Sequence, residues 1–595
     1  MLPAFSQKYF AVYSQNDWRA TQRLTLNLGL RYEIQPGPTE RYNRMSAWDL
    51  EATSAFGTQG AIAFAGVDGY SRNLWDTTYD NWGPRLGAAY QLSDRMVLRG
   101  GFGITYLPSN TGYFSGPTDY GSANFSAGVS QIPYGLNPAG VPVGTFSAPV
   151  PLSPAIGGDE TNPGVYGIGE ARFDRHYENG RIRQWNAFLE RRLGDAFMVS
   201  IGYSASRGSN LHNRSFPIQS LQNIDQATLD AWRATYIASN GTLNPSTQQV
   251  PNPYQPSSGP RLPFAGPLAA ATIARQNTLF PYPLLIGSVA AINRSDAESR
   301  YDAVIVRAAR RLSAGLTFDA SYTFSRERDN TDSVEDNQGF NAGGNARGGY
   351  DILDLDRNMH IGFSDLPHRF VGTFFYELPF GPNRKFGIGN SVLRSIARDW
   401  QMSGSLLWHS GFPVPVNGAS TGAIVGRPDR VPGVDFELPA NLQGWYDGRT
   451  TITLPSGRRI TPPARTYLRY NPDAFAGRVL TAPNGTIIAD QFWYGDAALA
   501  YDEIRTDTRF NIDLSLRRTF RLSPTTAIDV GLDAMNVLNH TQFNGAYTGA
   551  LGGTNLTNNP GNGQFAGSAS AANYGTRGLG TYNPRQVQFR VALRF

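Results

Sequence analysis

Cysteine is absent from this 595-residue chain. The absence excludes a disulfide scaffold, thiolate zinc sites, iron–sulfur ligation and thiol nucleophiles. Charged residues are also scarce, at 17% of the chain, where soluble proteins average about 25%. This composition is not that of an ordinary cytoplasmic enzyme.

Long apolar runs are missing as well. No uninterrupted stretch approaches the roughly 18 residues that a membrane-spanning helix needs, so a helical membrane protein is excluded. Residues 1–18 contain neither a basic segment nor an apolar core, and no signal peptide is expected there. The net charge of +5 is spread evenly along the chain, which does not favour a nucleic acid partner.

Alternation with a period of two is the clearest pattern that the sequence does contain. In residues 23–33, apolar side chains alternate with polar residues and one glycine, which predicts a strand with one apolar and one polar face. The pattern recurs in residues 316–324, 509–517 and 586–595. A soluble sandwich and a membrane barrel both produce such strands, so the alternation alone does not decide between them.

The spacing of the strands favours the barrel. Short connections alternate with long ones, including 107–180, 207–298 and 410–507, and only one short-side connection, 379–399, is extended. Tight turns on one side and long loops on the other are typical of outer-membrane barrels. We therefore predict an all-β transmembrane antiparallel β-barrel with periplasmic turns and extracellular loops, some of which contain hairpins, for example around 61–66. The thirteen strands are predicted at 9–18, 23–33, 82–91, 95–106, 181–192, 196–206, 299–311, 315–325, 368–378, 399–409, 508–519, 525–535 and 585–595.

Aromatic residues near the predicted strand ends suit an interfacial girdle, although the general preference of aromatics for strands explains them equally well. They are Tyr9, Tyr13, Trp18, Trp82, Tyr90, Trp185, Trp400 and Trp408.

The number of strands has a directional consequence. If the short turns are periplasmic, strand 585–595 ends in the periplasm and strand 9–18 starts at the cell exterior. A single-chain barrel with an even strand count starts in the periplasm instead. We therefore expect residues 1–595 to form a single barrel domain that is the C-terminal part of a larger barrel.

Eleven segments carry a family resemblance that covers nearly the whole chain. They are YFAVYSQNDWRATQRLTLNLGLRYE (9–33), NWGPRLGAAY (81–90), VLRGGFGITY (97–106), RQWNAFLERRL (183–193), VSIGYSASRGSNL (199–211), SRYDAVIVRAARRLSAGLTFDASYTFSRERDN (299–330), LPHRFVGTFFYELPFGPNR (366–384), DWQMSGSLLWHSGFPVPV (399–416), NIDLSLRRTFRL (511–522), DVGLDAMNVLNHTQFNG (529–545) and PRQVQFRVALRF (584–595). In this order they resemble the Oar-like TonB-dependent outer-membrane receptors, whose barrel follows a carboxypeptidase-regulatory-like domain and a plug.

The resemblance implies a plugged 22-strand barrel in the outer membrane of a Gram-negative bacterium, inserted by the barrel assembly machinery. It also implies ligand uptake driven by the inner-membrane TonB complex. The sequence departs from that family by lacking a recognisable signal peptide, TonB box, regulatory-like domain, plug and roughly nine strands. We therefore expect the plug and TonB complex to act through a region outside this sequence, or a separate polypeptide to supply the missing strands.

Charged residues on the polar faces of the predicted strands are the candidate lining of the barrel lumen, where they would bond to one another or to a plug. They are Arg31, Glu33, Asp319, Arg509, Asp513 and Arg517. The terminal Phe595 is the candidate barrel-assembly residue.

Other motifs favour structure over chemistry, so no catalytic residue, metal or cofactor is expected. The Gly-x-Ser-x-Gly match at 418–422 lacks the strand-to-helix context of a nucleophile elbow. Two acidic groups could bind calcium but are better explained as solvated loop charges: Asp329, Asp332, Glu335 and Asp336, then Asp351, Asp354 and Asp356. Histidines 176, 212, 360, 368, 409 and 540 show no metal-binding spacing, and Gly100, Gly101 and Gly103 suit close strand packing.

Three functions remain open from the sequence. The first is the barrel of a TonB-dependent receptor for an unidentified ligand, and the second is a structural or adhesive outer-membrane barrel without transport. The third is a soluble all-β enzyme or lectin, which the alternation of loop lengths disfavours. Loops rich in Gly, Asn, Ser and Tyr suit sugars, peptides and siderophores alike.

Overall fold

Thirteen long strands dominate the fold and confirm the thirteen predicted ones. The computed structural model describes residues 4–73, 75–108, 125, 157–167, 175–213, 219–285, 294–331, 351–380, 386–387, 389–414, 416, 424, 427–462, 464, 466–541, 576–577 and 584–595. The long strands are β1 Phe10–Arg19, β2 Leu24–Ile34, β3 Asn81–Ser93, β4 Met96–Tyr106, β5 Arg181–Leu193, β6 Phe197–Asn213, β7 Arg294–Ser313, β8 Leu316–Asp329, β9 His368–Glu377, β10 Gln401–His409, β11 Arg509–Arg521, β12 Ala527–Met535 and β13 Gln586–Arg594.

These strands form one antiparallel sheet in which each strand pairs with the next in chain order, from β1 to β13. A fourteenth strand, His360–Ile361, adds to the outer end of β8. Because the count along the path is odd and every pairing is antiparallel, β1 and β13 run in the same direction. Among the described residues, each of these two edge strands has one neighbour in the sheet.

The strands β6 and β7 extend further than predicted. Their ladder continues past the pair Gly208 and Ser299, through a bulge at Leu211, to Asn213 opposite Arg294. Polar residues interrupt the alternation in this extension, which is why the sequence pattern stops earlier. The paired ends of the two strands therefore extend beyond their neighbours on the side of the long connections.

The short connections all lie at one edge of the sheet and the long ones at the other, as predicted. Between β7 and β8 the turn residues Ala314 and Gly315 both have positive φ, 51° and 78°, which matches the twist of an antiparallel hairpin. The longest of the short-side connections, between β9 and β10, contains the helix α2, Ser391–Ala397.

The pairing register aligns the apolar residues of successive strands on one face. Leu28 lies opposite Leu86, Leu86 opposite Phe102, and Phe102 opposite Trp185. At the other end of the sheet, Leu516 lies opposite Leu532 and Leu532 opposite Phe589. Directly opposed residues share a face, and many of these side chains are exposed, Leu86 by 50% and Phe589 by 67%. The sheet thus presents a continuous apolar surface.

The aromatic residues expected in a girdle lie on both faces of the sheet. Trp18 and Trp82 lie in apolar rows opposite Leu26 and Tyr32. Tyr13 instead pairs with Arg31, and the Tyr9 hydroxyl accepts a hydrogen bond from the same guanidinium at 2.8 Å. An outward position is therefore wrong for both residues: Tyr13 lies on the polar face by its parity in β1, and Tyr9 by its bond to Arg31.

Buried apolar residues lie almost entirely in the long connections. Among the described residues of the thirteen long strands, only Ala205, Ala297 and Ala303 belong to the buried hydrophobic set. The connections contain the helix α1, Gln226–Ala238, and the hairpin Ser46–Thr53 with Gln59–Phe64, which confirms the one expected around 61–66. Within the described ranges, no helix has the length and apolar character needed to cross a membrane.

The remaining elements are short and lie in the same connections, except for strand Phe5–Ser6, which precedes β1 and pairs with Thr39–Glu40. The short strands are Phe5–Ser6, Thr39–Glu40, Gln249–Pro251, Thr272–Ala274, Asp429–Arg430, Gly444–Tyr446, Ile452–Thr453, Arg459–Ile460, Thr466–Leu468, Phe475–Ala476, Val479–Thr481, Ile487–Ala489 and Thr576–Arg577. The 3₁₀ turns are Pro163–Val165, Leu221–Asn223, Gly266–Ala269, Arg275–Thr278, Asp356–Asn358 and Pro472–Ala474.

The face assignment predicts unequal costs for adjacent substitutions. Leu28→Arg places a cation on the apolar face and should lower the free energy of unfolding by about 2–4 kcal/mol in lipid vesicles. Asn27→Arg, on the polar face beside Asp17, whose carboxylate is 2.5 Å from the Asn27 amide, should cost much less. Guanidinium unfolding of both variants measures the difference, and equal costs would refute the register.

Candidate functional site

The polar face of the sheet has a series of paired charges. On β2, Arg31 forms an ion pair with Glu33, its neighbour two residues along the same face. On β8, Asp319 accepts hydrogen bonds from Nε of Arg307 on β7, at 3.0 and 3.1 Å. Arg31, Glu33 and Asp319 therefore form their ion pairs within one strand or between adjacent strands.

The other three predicted residues lie on β11. Asp513 accepts a hydrogen bond from the backbone N–H of Asn536 at 2.8 Å. Arg517 donates to the Ser515 hydroxyl at 3.0 Å and is 3.4 Å from Asp533 on β12. Arg509 pairs in register with His409 of β10. The structure thus places the six residues in three separate groups, on β2, β8 and β11.

The long connections pack together into a folded layer at the outer edge of the sheet, which we call the cap. The cap comprises the described residues of 35–80, 157–180, 219–285, 351–367 and 410–508. One of its hydrophobic clusters joins three connections through Trp48, Tyr166 and Phe264, among others. A second cluster joins helix α1 to the connection 410–508. In this cluster the rings of Trp232 and Phe492 lie 6.2 Å apart.

Helix α1 forms where local sequence rules favour it. Asp225 caps its first turn by accepting a hydrogen bond from the backbone N–H of Thr228 at 2.9 Å. Leu229, Trp232 and Tyr236 follow at spacings of three and four residues and are all buried against the cap. Sequence reasoning missed this helix, although the capping aspartate and the spacing were signals that could have found it.

Polar contacts also join the connections within the cap. Arg233 on α1 forms an ion pair with Asp490, whose carboxylate is fully buried. The Asn244 side-chain amide donates to the Gln491 side chain at 2.7 Å, and the Gln222 side-chain oxygen Oε1 accepts from the backbone N–H of Ile352 at 2.8 Å. These contacts join residues more than 120 positions apart in sequence, so they hold separate connections in one arrangement.

A buried arginine, Arg427, forms hydrogen bonds between two connections of the cap. The Arg427 side chain, 2% exposed, donates to the Arg357 carbonyl at 3.1 Å and to the Asn358 side chain at 2.5 Å. Asn358 in turn accepts from and donates to the backbone of Asp351, both at 2.8 Å. These bonds satisfy polar groups that would otherwise be costly to bury.

A second arginine connects the cap to the sheet. Arg505 donates to the Asp365 carboxylate at 2.6 Å and to the Gly411 carbonyl at 3.2 Å. Asp365 also accepts from the backbone N–H of Glu327, on β8, at 2.6 Å. These bonds hold the connections 351–367 and 410–508 at the outer end of β8.

Of the acidic residues expected to be solvated, Asp354 and Asp356 are exposed, whereas Asp329 and Asp351 are buried and have structural partners. Asp351 is 5% exposed and accepts hydrogen bonds from the backbone of Leu353 and Asp354, both at 3.0 Å. Asp329 accepts from the backbone and hydroxyl of Thr331. Asp332, Glu335 and Asp336 lie outside the described residues, as does the match at 418–422. Among the residues described, no group of three or more His, Asp or Glu side chains is arranged to hold a metal ion.

The histidines occupy unrelated surroundings. His360 is buried in the cap with its Nδ1 2.8 Å from the Asn358 carbonyl, and burial lowers the pKa of its imidazole. His368 bonds to the Tyr322 hydroxyl at 2.7 Å, and the exposed His176 lies 3.3 Å from Asp76.

The strand glycines suit close packing, since a Cβ at Gly100 would lie 3.1 Å from the carbonyl oxygen of Asn186.

Cap stability should depend on the ion pair of Arg233 and Asp490. Arg233→Met leaves a buried carboxylate without its cation and should weaken the cap by on the order of 3 kcal/mol. Burial raises the pKa of Asp490, so the variant should be most stable at acidic pH and lose stability as the pH rises through that raised pKa. Hydrogen exchange of 226–238 and 487–493, corrected for intrinsic rates, measures the effect.

The control for that prediction is the double variant Arg233→Met/Asp490→Asn. Removing the carboxylate should abolish the pH dependence that Arg233→Met introduces. A pH dependence of the same size in the double variant would assign the effect to another group.

Comparisons with known proteins give one family match and several distant folds. The profile of the family described as outer membrane beta barrel domain matches residues 2–588. No match is found among the curated proteins.

Three of the similar solved structures illustrate the distance. The Pseudomonas aeruginosa outer-membrane ferripyoverdine receptor, bound to ferripyoverdine, gives a TM-score of 0.37 at 8% identity, over 100% of this chain and 39% of that one. The siderophore receptor PiuA from Acinetobacter baumannii gives 0.36 at 7%, over 99% and 43%. The unliganded ferric citrate transporter FecA gives 0.36 at 9%, over 99% and 45%. The chain spans less than half the length of each.

The family match covers β1 to β12 and the first residues of β13, the strands whose register places apolar residues on one face. That surface is the one a barrel presents to lipid. The chain belongs to the outer membrane beta barrel domain family and is a protein of the Gram-negative outer membrane.

Proposed function

We propose that this chain is the barrel portion of an Oar-like TonB-dependent receptor, which binds a ligand at its cap and admits it to the periplasm. The inner-membrane TonB complex would supply the energy through a plug in the barrel. The polar face would line the lumen, with Arg31, Glu33, Asp319, Arg509, Asp513 and Arg517 on the wall. The sequence resemblance and the arrangement of the strands support the proposal.

The folded cap is the observation that carries the proposal. Its connections are held together by shared hydrophobic clusters and by ion pairs such as that of Arg233 and Asp490. Binding to an ordered surface costs less conformational entropy than binding to loops that must first become ordered. A cap of this kind is therefore suited to recognising a ligand at the cell exterior.

The paired charges below the cap suit a passage. Arg307 with Asp319 and Arg517 with Asp533 neutralise one another along the polar face. A wall of paired charges is hydrophilic without attracting ions of one sign strongly. Such a wall accommodates a plug and a polar ligand.

A structural or adhesive barrel without transport is the second candidate. A rigid external layer can serve attachment as well as uptake, so the cap is compatible with this function too. The two functions differ in their need for energy, so an uptake experiment separates them.

Uptake should stop when the proton-motive force is removed. Cells that express the protein together with its native upstream sequence are given radiolabelled ferric citrate, an oligosaccharide mixture and a peptide mixture, with and without a protonophore. We expect at least one label to enter the periplasmic fraction, and the protonophore to reduce that entry to the level of cells without the gene. Label that stays on the cell surface in both conditions would instead support adhesion.

The terminal residue should matter for insertion. We propose that Phe595, whose side chain is 96% exposed, is recognised by the barrel assembly machinery. Deleting Phe595 should reduce the heat-modifiable protein recovered from outer membranes, and Phe595→Tyr should preserve it because the aromatic ring remains. Equal recovery of the deletion variant and the unmodified protein would contradict this role.

A further inference from the structure

Hydrogen bonds from an arginine attach helix α2 to the apolar face of the sheet, at the end with the short connections. Arg518 of β11 follows Leu516 by two residues and pairs with Val530, so its side chain starts on that apolar face. Its guanidinium donates to the carbonyl oxygens of Ser395, at 2.5 Å, and Ile396. These carbonyls belong to the last turn of α2, so the helix lies outside the sheet and beside its apolar surface.

Both ends of α2 are held in place. The Asn390 side chain accepts hydrogen bonds from the backbone N–H groups of Val392 and Leu393 at 3.0 and 3.1 Å. At the other end, the Trp400 indole donates to the Ile396 carbonyl at 2.8 Å. Arg518 supplies a positive charge where helix carbonyls lack internal partners. The helix therefore has a fixed orientation relative to the strands.

The free side of α2 is apolar. Val392, Leu393 and Ile396 are 65%, 57% and 57% exposed, and their positions fall within an arc of about 100° on the helix. In the same connection, the rings of Phe380 and Phe386 lie 5.8 Å apart in a tilted arrangement and are also exposed. Three large aliphatic side chains on one side of a seven-residue helix form a patch that needs an apolar partner.

We propose that α2 inserts into the periplasmic leaflet of the outer membrane, where phospholipid acyl chains cover Val392, Leu393 and Ile396. Continuity with the lipid-facing surface identifies this occupant. The row of Leu514 and Leu516 leads directly to Arg518 and hence to the helix. The helix would rest at the boundary between acyl chains and headgroups, as interfacial helices do. It would thereby fix the depth at which this part of the barrel sits in the membrane.

Site-directed spin labelling tests the proposal, since the chain has no native cysteine. The full chain carrying Leu393→Cys or Ile396→Cys is labelled with a nitroxide and reconstituted in vesicles of phosphatidylethanolamine and phosphatidylglycerol. Accessibility to oxygen, which concentrates in lipid, is compared with accessibility to a water-soluble nickel chelate. Arg398→Cys, at an exposed position one residue beyond the helix, is the matched control, and Leu514→Cys marks the lipid-facing strand surface.

We expect the ratio of oxygen to nickel accessibility at 393 and 396 to exceed that at 398 several-fold and to approach that at 514. Arg518→Met should lower the ratio at 393 without changing it at 514, because the helix loses its attachment. A ratio at 393 and 396 equal to that at 398, while 514 reports lipid, would overturn the proposal. Protection of 393 from both reagents would also overturn it, by showing that protein covers the patch.

Discussion

Every feature of this chain depends on the antiparallel pairing of its strands. Inside a bilayer, backbone N–H and C=O groups find no water, so the ladder between neighbouring strands must satisfy them. The ladder also fixes the register, and a shift of one residue would invert both faces of a strand. Leu28, Leu86 and Phe102 would then lie on the face that the polar residues now occupy. Backbone pairing and side-chain alternation therefore specify the same arrangement.

Because the sheet turns its apolar residues to lipid, the conventional hydrophobic cores lie elsewhere. The clusters around Trp48 and Trp232 bury aromatic rings within the cap, as the core of a soluble domain does. The cap is thus a second packed region, built from segments that are separated along the chain by pairs of strands. Arg505 connects the cap to the sheet, because it bonds to Asp365, which in turn bonds to the backbone of β8.

The sequence predicts the sheet far better than the cap. The strands are recognisable because alternation is local, and even the bounds of β5 agree with prediction to within one residue. Helix α1 also had local signals in Asp225 and the spacing of Trp232 and Tyr236. The contact between Gln222 and Ile352 had none, since no local rule specifies which distant connections meet. The same limit applies to the site, where polar parity identified Asp319 but did not identify Arg307 as its partner.

Arg518 shows how a charge can be misleading when only its parity is considered. Its position in an apolar row is unexpected for a charged residue. The side chain is nevertheless 5% exposed and bonds to the carbonyls of helix α2, which no period-two pattern predicts.

The shared direction of β1 and β13 has a geometric consequence for closing the sheet. If these two edges met directly, their hydrogen bonds would form a parallel seam in an otherwise antiparallel sheet. An antiparallel seam on both sides requires an odd number of strands between them. Any polypeptide segment that completes this ring without a parallel junction must therefore enter and leave at opposite rims of the membrane.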